Sequence, residues 1–141
     1  MLASRVVVAN PSVDIMSTNT GNCAQIYPMR SSISVMEGLE SLNHLNNILS
    51  TDIESLDKGM RIDGLICDSN GKVADVVNCY HMGQGILIIG IDSNTDSTRE
   101  LLTKGVPWDK ELSLLDGNEA LEHLKIIGKD SLSLVERIYP E

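Results

Sequence analysis

Two runs of the β type, in which aliphatic residues are interspersed with polar ones, lie in the middle of the chain at residues 61–67 and 72–77, with a turn sequence between them. Both runs are rich in aliphatic residues that fit the pleated surface of a strand. The Asn70-Gly71 pair favours positive φ at both central positions of a turn, which matches the twist of paired strands. The pattern therefore predicts a β-hairpin with a two-residue turn at Asn70-Gly71.

Other aliphatic runs predict further strands. Residues 86–91 are apolar on both faces, as expected of a central strand that helices cover. Residues 5–9 form a shorter strand, which ends at Asn10-Pro11 because the residue before proline avoids helical geometry. Residues 12–31 are rich in Ser, Thr, Asn and Gly, and they predict a polar loop or arm with a brief strand near residues 25–27.

A helical period follows, in which apolar residues recur every three or four positions. Ser34 and Glu37 form a capping-box pattern at its start, Gly59 is a natural C-terminal cap, and a second N-cap fits at residues 50–52. The pattern predicts a long amphipathic helix. Its apolar stripe consists of Val35, Leu39, Leu42, Leu45, Leu49, Ile53 and Leu56.

The C-terminal third predicts three more elements and leaves a fourth open. Asp96 caps a helix over residues 97–104, which ends at Gly105. Residues 107–115 and 119–127 fit two further helices. Residues 132–139 fit either a helix or a strand, and both alternatives stay open. We find no internal sequence repeat.

The chain has 141 residues, which matches one domain with one core. We therefore expect an α/β or α+β fold, formed as a single small domain. It has a mixed β-sheet that includes the hairpin around Asn70-Gly71, with amphipathic helices on its flanks. Residues 1–31 supply the N-terminal strand and polar loop or arm of the same domain, and residues 32–141 form the α/β core.

The charge balance excludes some functions. The formal net charge is −9, so the chain lacks the clustered cations that phosphate contacts need, and we expect neither nucleic-acid nor membrane binding. No apolar run approaches a membrane span of about 20 residues, and the N-terminus lacks the apolar stretch of a secretory signal. We expect an acidic cytoplasmic protein whose three cysteines stay reduced.

Cys79 and His81 are the best candidates for catalysis, in the bend that we expect between two strands. Residues two apart on an extended chain point the same way, so the thiol and the imidazole can share a face. A neighbouring base or cation is what turns a thiol into a nucleophile. The alternative is a structural cysteine that packs as a small hydrophobe.

Two loops at the ends of the aliphatic strand are candidate ligand-binding segments. Loops beyond the carboxyl end of a central strand often bind ligands in α/β sheets, but a dinucleotide fingerprint is excluded because the glycines precede the strand. The residues are Gly83, Gln84 and Gly85 before the strand and Asp92, Asn94, Thr95 and Asp96 after it.

The metal patterns are incomplete. Cys23, Cys67, Cys79 and His81 have the softness that zinc prefers, but no Cys-x-x-Cys pair supplies half a site. A calcium loop from Asp92 fails at Ser97 and Thr103, which stand where glycine and glutamate are required. We expect no metal and no cofactor.

These observations leave two functional hypotheses. The first is a binding or regulatory module that acts through protein–protein interaction as a homodimer, through its amphipathic helix or an open strand edge. The second is a small enzyme or ligand-binding sensor that uses the bend at residues 79–85 and the loop at residues 92–96. The sequence does not decide whether the chain is an enzyme.

Overall fold

The computed structural model describes residues 7–9, 24–91, 95–106 and 111–139. These residues fall into two compact units. The terminal unit comprises the described parts of Met1–Met29 and Ala120–Glu141, and the central unit is Arg30–Glu119. The strands are β1 (Val7–Ala9), β2 (Gln25–Met29), β3 (Ser32–Glu37), β4 (Arg61–Cys67), β5 (Val73–His81), β6 (Gly85–Gly90), β7 (Ser113–Asp116) and β8 (Glu122–Ile127), and the helices are α1 (Ser41–Ile48), α2 (Thr95–Thr103) and α3 (Ser131–Ile138).

The central unit has a five-stranded sheet with the order β4-β5-β6-β3-β7. The aliphatic strand β6 lies in the middle, as predicted. The fold class is confirmed as α+β, but the expectation of a mixed sheet is wrong for the described strands, since every pairing between them is antiparallel. Short turns join β4 to β5 and β5 to β6, and a short connection can only join antiparallel neighbours.

The core of the central unit contains side chains from this sheet, from α1 and α2, and from the loop that follows α1. Strands and helices each expose one apolar side, so burying both sides against each other removes the most apolar surface from water. The buried members are Met36, Leu45, Leu49, Ile53, Leu56, Ile66, Val77, Cys79, Ile86, Ile88 and Leu102.

The terminal unit is smaller. Its sheet has the order β1-β8-β2, and only Leu124 and Ile126 are buried in its apolar cluster among the described residues. Leu134 and Val135 of α3 pack against these two side chains, as does Ile26 of β2.

The hairpin between β4 and β5 is confirmed, but its connection is longer than two residues. The last paired residues are Cys67 and Val73, so residues 68–72 form the loop. The Asp68 carboxylate accepts hydrogen bonds from the backbone N–H groups of Asn70 (2.8 Å) and Lys72 (3.0 Å), and it thereby organises a wider turn. Gly71 has φ 76°, the positive value that the sequence predicted for this position.

The long helix predicted from Ser34 is wrong at its start and its length. Residues 32–37 form strand β3 between β6 and β7, and Gly38 with φ 123° separates this strand from α1. Ile53 and Leu56 reach the core from a loop. Leu39 of the predicted stripe is 96% exposed in the turn before α1. The period of three or four residues therefore does not correspond to one helix, because tertiary contacts override a local pattern.

The C-terminal predictions have mixed outcomes. The helix that ends before Gly105 is confirmed as α2, and the open segment at residues 132–139 forms α3. The strand predicted at residues 5–9 is confirmed over its described residues 7–9, and the one predicted near residues 25–27 is confirmed as residues 25–29. The helices predicted over residues 107–115 and 119–127 are wrong where the structure describes them, because strands β7 and β8 occupy these segments. Residues 10–23 and 107–110 lie outside the described residues. In β8, Leu124 and Ile126 are buried two positions apart, which is the period of a strand.

The two units share a strand–turn–helix motif. The first copy consists of strand β3, a turn at Gly38 and helix α1, and the second consists of β8, a turn at Gly128 and α3. Each residue number in the second copy is 90 higher than the equivalent number in the first. Both glycines have positive φ, 123° and 141°, and in both turns the first helical serine donates its N–H to the glycine carbonyl at 3.2 Å. The sequence signal of this motif is the Gly-x-acid-Ser-Leu pattern that residues 38–42 and 128–132 share, which is too short to stand out as a repeat.

Candidate functional site

The structure places Cys79 and His81 in strand β5 rather than in a bend. Cys79 is fully buried in the core of the central unit. Burial, and then the negative charge of Asp63, raise the pKa of the Cys79 thiol to about 12. The thiol is therefore protonated at neutral pH, which favours the structural alternative for this residue.

His81 fastens a loop to the end of β5. Its Nδ1 lies 2.9 Å from the carbonyl oxygen of Leu56, and because a carbonyl only accepts, the ring must donate there. The His81 backbone extends the attachment, since its N–H donates to Met60 (3.2 Å) and its carbonyl accepts from Gly59 (2.8 Å). This set of bonds gives His81 a structural role at the end of the sheet.

The two predicted ligand-binding segments lie at opposite ends of β6. Gly83 and Gln84 form the turn before this strand, Gly85 begins it, and Asp96 lies exposed in the first turn of α2 after it. Six extended residues span roughly 17–20 Å, so Asp96, the described member of the second segment, does not form one site with residues 83–85. Asp92, Asn94 and the Thr95 side chain lie outside what the structure describes.

A side chain also covers the glycine turn. A Cβ at Gly83 would lie 2.6 Å from Cε of Lys58, so the lysine stem packs directly over this backbone. The turn itself is closed by a hydrogen bond from the N–H of Met82 to the carbonyl of Gly85 at 2.9 Å. This turn is therefore a packed element of the fold.

A buried carboxylate that the sequence did not single out lies at the other end of β6. Asp75 is only 2% exposed; its Oδ1 accepts from the N–H of Val76 (2.8 Å) and its Oδ2 from the hydroxyl of Thr98 (2.5 Å). A Cβ at Gly90 would lie 2.3 Å from Oδ2. The buried Ser32 hydroxyl, on the strand paired with Gly90, makes no hydrogen bond among the described residues.

This Asp75 cluster joins the start of β5, the end of β6 and the first part of α2. Its close packing suits the attachment of α2 to the sheet. The available sequence signals were a single acidic residue inside a strand and a glycine at the end of an aliphatic run, and neither by itself indicates that the two lie in contact.

Arg99 attaches the next turn of α2. Its guanidinium donates to the carbonyl of Ile33 (3.2 Å), the hydroxyl of Ser34 (3.3 Å) and the side-chain oxygen of Asn118 (2.7 Å). It also forms an ion pair with Asp116 of β7. The planar group with five donors suits such a junction, so its bonds serve α2, β3 and β7 together.

A second polar array lies on β4 and β5. Arg61 contacts Asp63 through two hydrogen bonds of 2.7 and 3.0 Å, and Asn78 donates to the same carboxylate at 2.8 Å. The hydrogen bond from Arg61 lowers the pKa of Asp63 below its ordinary value. The guanidinium carbon also lies 5.7 Å from the ring centroid of Tyr80, a cation–π distance.

The edges of the central sheet differ in their exposure. Residues 49–51 cover β4: Leu49 bridges Ile66, Ser50 bonds Leu65 through backbone and side chain, and the Thr51 hydroxyl donates to a β4 carbonyl. No strand among the described residues pairs with the outer side of β7. Beside β7 lies an open hollow of about 420 Å³, lined by Glu37, Gly38, Glu111, Leu112 and Ser113.

Two general features bear on the site. Across residues 7–9, 24–91, 95–106 and 111–139, no group of three or more His, Cys, Asp or Glu residues is placed to hold a metal ion. Within the same ranges, each helix is too short or too polar to cross a membrane.

The comparisons with known proteins concern the fold. No protein-family model and no curated protein matches the sequence. A solved structure of similar fold is the glycine cleavage system aminomethyltransferase T from Bartonella henselae, with a TM-score of 0.65 and 13% sequence identity. The match covers 81% of this chain but only 31% of the aminomethyltransferase.

Proposed function

We propose that the chain is an acidic binding or regulatory module, and that it acts through protein–protein interaction without covalent chemistry of its own. The outer edge of β7 carries this proposal, because no strand in the described part of the chain pairs with it and an unpaired edge can accept an extended segment of another protein. The burial of Cys79 and the engagement of His81 support it further. A cytoplasmic location and the absence of nucleic-acid and membrane partners belong to the same proposal.

Labelling of the cysteines separates this function from catalysis. We expect iodoacetamide to alkylate the exposed Cys67 at least tenfold faster than the buried Cys79, since only the thiolate reacts and burial raises the pKa of the Cys79 thiol. The His81→Asn substitution should leave the Cys79 rate low. Faster labelling of Cys79 that depends on His81 would contradict the proposal that the chain has no covalent chemistry of its own, and it would favour the enzyme hypothesis.

We further propose that the module forms a homodimer. Helix α3 carries apolar side chains that its own unit leaves about half exposed, Leu132 and Ile138 at 48% each, and a second copy could bury them in a twofold contact. Sedimentation should show the dimer at tens of micromolar, and a Leu132→Glu/Ile138→Glu variant should be a monomer. A monomeric parent chain of about 15 kDa would refute the dimer.

A second candidate function is a ligand-binding or transferase role, and the fold similarity to an aminomethyltransferase favours it. The Asp75 cluster is the polar centre that we would assign to this role. The test is a comparison of the parent chain with Asp75→Asn in an aminomethyl-transfer assay. Activity that is present in the parent and lost in a folded variant would support this candidate over the first.

A further inference from the structure

We propose that the outer edge of β7 and the adjoining hollow bind an extended segment of a partner protein that carries lysine or arginine at alternate positions. This inference rests on the proposed binding function and names the chemistry of the partner. It combines three observations: which backbone groups of β7 point outward, the acidic lining of the hollow, and the partly exposed apolar side chain of Leu115.

The hydrogen-bond pattern fixes the outward groups. Gly117 donates its N–H to the carbonyl of Ile33 at 2.9 Å, and Leu115 and Ser113 follow at the positions that bond β3 in an antiparallel ladder. The N–H and C=O groups of Leu114 and Asp116 therefore point away from β3. A partner segment could bond these groups and so extend the sheet by one strand.

The charges select the partner. Glu37 and Glu111 line the hollow, and neither has an ion pair among the described residues. Lysine or arginine side chains of an added strand would reach these carboxylates. A second copy of this chain would instead bring two sets of like charges together, which disfavours a β7-to-β7 dimer.

Next to the hollow, the backbone at Glu111 lies very close to the backbone at Gly38. A Cβ at Gly38 would lie 1.9 Å from the carbonyl oxygen of Glu111, so the segment before β7 crosses directly over the glycine turn. This crossing holds Glu111 beside Glu37. Leu115 is 47% exposed and offers an apolar contact on one face of the strand.

The test uses the full-length, isotope-labelled chain and a capped peptide of alternating Lys and Val, about seven residues long. We expect the peptide to shift the amide signals of residues 37–38 and 111–116, with binding that weakens as salt increases. The matched peptide with Glu in place of Lys should not bind. No shifts at millimolar Lys peptide, or equal binding of the Glu peptide, would refute the proposal.

A pair of charge-reversal variants completes the test. Glu37→Lys/Glu111→Lys should weaken peptide binding at least tenfold. The control Asp57→Lys/Glu100→Lys makes the same change in net charge at exposed positions that do not line the hollow. At a salt concentration high enough to screen long-range charge effects, the control should bind the peptide as the parent does. Equal loss in both variants would mean that the peptide senses only net charge and would overturn the assignment to β7.

Two outcomes separate this inference from the proposed function. If the β7 amides shift with protein concentration in the absence of peptide and sedimentation shows a dimer, the edge takes a second copy and the cationic partner is wrong. The proposed function fails on a different measurement, the rapid alkylation of Cys79. A failed peptide titration together with slow labelling of Cys79 therefore rejects the cationic partner, but the proposed function as a binding module stands.

Discussion

Gly90 is the residue whose missing side chain matters most to the Asp75 cluster. It pairs with Ser32 across the sheet, and the Asp75 carboxylate occupies the space beside it. A buried carboxylate is tolerated only where hydrogen bonds replace water, and here Thr98 and the N–H of Val76 supply them. The glycine thus makes room for the polar group that attaches α2.

We expect Gly90→Ala to lower the free energy of unfolding by about 1–3 kcal/mol, because its Cβ would lie 2.3 Å from the carboxylate and force the cluster apart. Urea denaturation measures this change. Gly64→Ala is the matched control on β4, where the new Cβ would meet the Leu49 side chain at ordinary distances of 3.5–3.7 Å. Equal effects of the two substitutions would show that Asp75 does not fill the space beside Gly90.

The Arg61–Asp63 pair predicts a dependence of stability on pH. Because the pKa of Asp63 is lowered in the folded state, the pair stabilises the fold fully above the ordinary carboxyl value of about 4. This contribution is lost as pH falls through the lowered value. The side chains are 34% and 58% exposed, so we expect the pair to contribute only about 0.5 kcal/mol.

Asp63→Asn should therefore reduce stability slightly at pH 7 and leave it unchanged near pH 2. Thermal or urea melts of parent and variant at the two pH values measure the difference. A deficit of the same size at both values would mean that the loss arises from packing or from the Asn78 hydrogen bond, and not from the charge of Asp63.

Helix α2 is attached to the sheet by polar bonds as well as by apolar packing. Only Leu101 and Leu102 of α2 belong to the apolar cluster or pack against it among the described residues. Arg99 and Thr98 add polar bonds to three strands, and His44 of α1 approaches the Leu102 carbonyl at 2.8 Å near the end of the helix. The position of α2 therefore depends on hydrogen bonds as much as on apolar burial.

We expect Arg99→Met to cost about 2 kcal/mol, because it removes an ion pair and leaves partly buried acceptors without their donor. The control is Glu100→Gln, the exposed neighbour on the same helix, which should change stability by less than about 0.5 kcal/mol. Denaturant unfolding compares the two. A loss no greater than that of the control would show that apolar packing alone holds α2.

The elements that the sequence predicted correctly are those whose signal is local. The hairpin at Asn70-Gly71 and helix α2 with its stop at Gly105 depend on turn and cap chemistry within a few residues. Strand β3 lacks such a signal, because Ser34 and Glu37 mimic a capping box while pairing with β6 and β7 decides the structure. Strand β8 was mistaken for a helix because Leu121, Leu124 and Ile127 also fit the helical period.

The candidate site was less predictable than the fold, for a physical reason. Asp75, Gly90 and Thr98 come from three elements that are distant in sequence, and no short motif links them. The glycine turn at residues 83–85 was a candidate ligand-binding segment, but its packing under Lys58 depends on a residue 25 positions away in the sequence. Burial of Cys79 likewise depends on neighbours that the local sequence does not specify.

At the scale of the whole molecule, the two units have very different cores. Eleven buried apolar residues form the cluster of the central unit, whereas the cluster of the terminal unit has two among the described residues. Apolar burial is the main favourable contribution to folding, and regions with few buried contacts open at lower free energy than the rest. The terminal unit should therefore open first.

Amide hydrogen exchange tests this order. We expect amides of β8 to exchange roughly 10- to 100-fold faster than those of β5 and β6, which corresponds to about 1.4–2.8 kcal/mol in opening free energy. The exchange rates are compared only for amides of residues that pair with a neighbouring strand, so that differences in the solvent exposure of the amides do not decide the result. Equal protection of β8 and β6 would mean that the two units unfold as one cooperative body.

The shared strand–turn–helix motif has a consequence for refolding. A chain with two segments of the same backbone path can mispair during collapse, with β3 entering the place of β8, and such traps slow folding. The side chains oppose this exchange, because Ser34 occupies the position equivalent to Leu124 and would put a hydroxyl into the small terminal core. In the opposite exchange, Leu124 would meet Arg99 without offering it an acceptor. Ser34 and Leu124, 90 positions apart, thus both disfavour the exchanged pairing and favour the pairing of each copy of the motif within its own sheet.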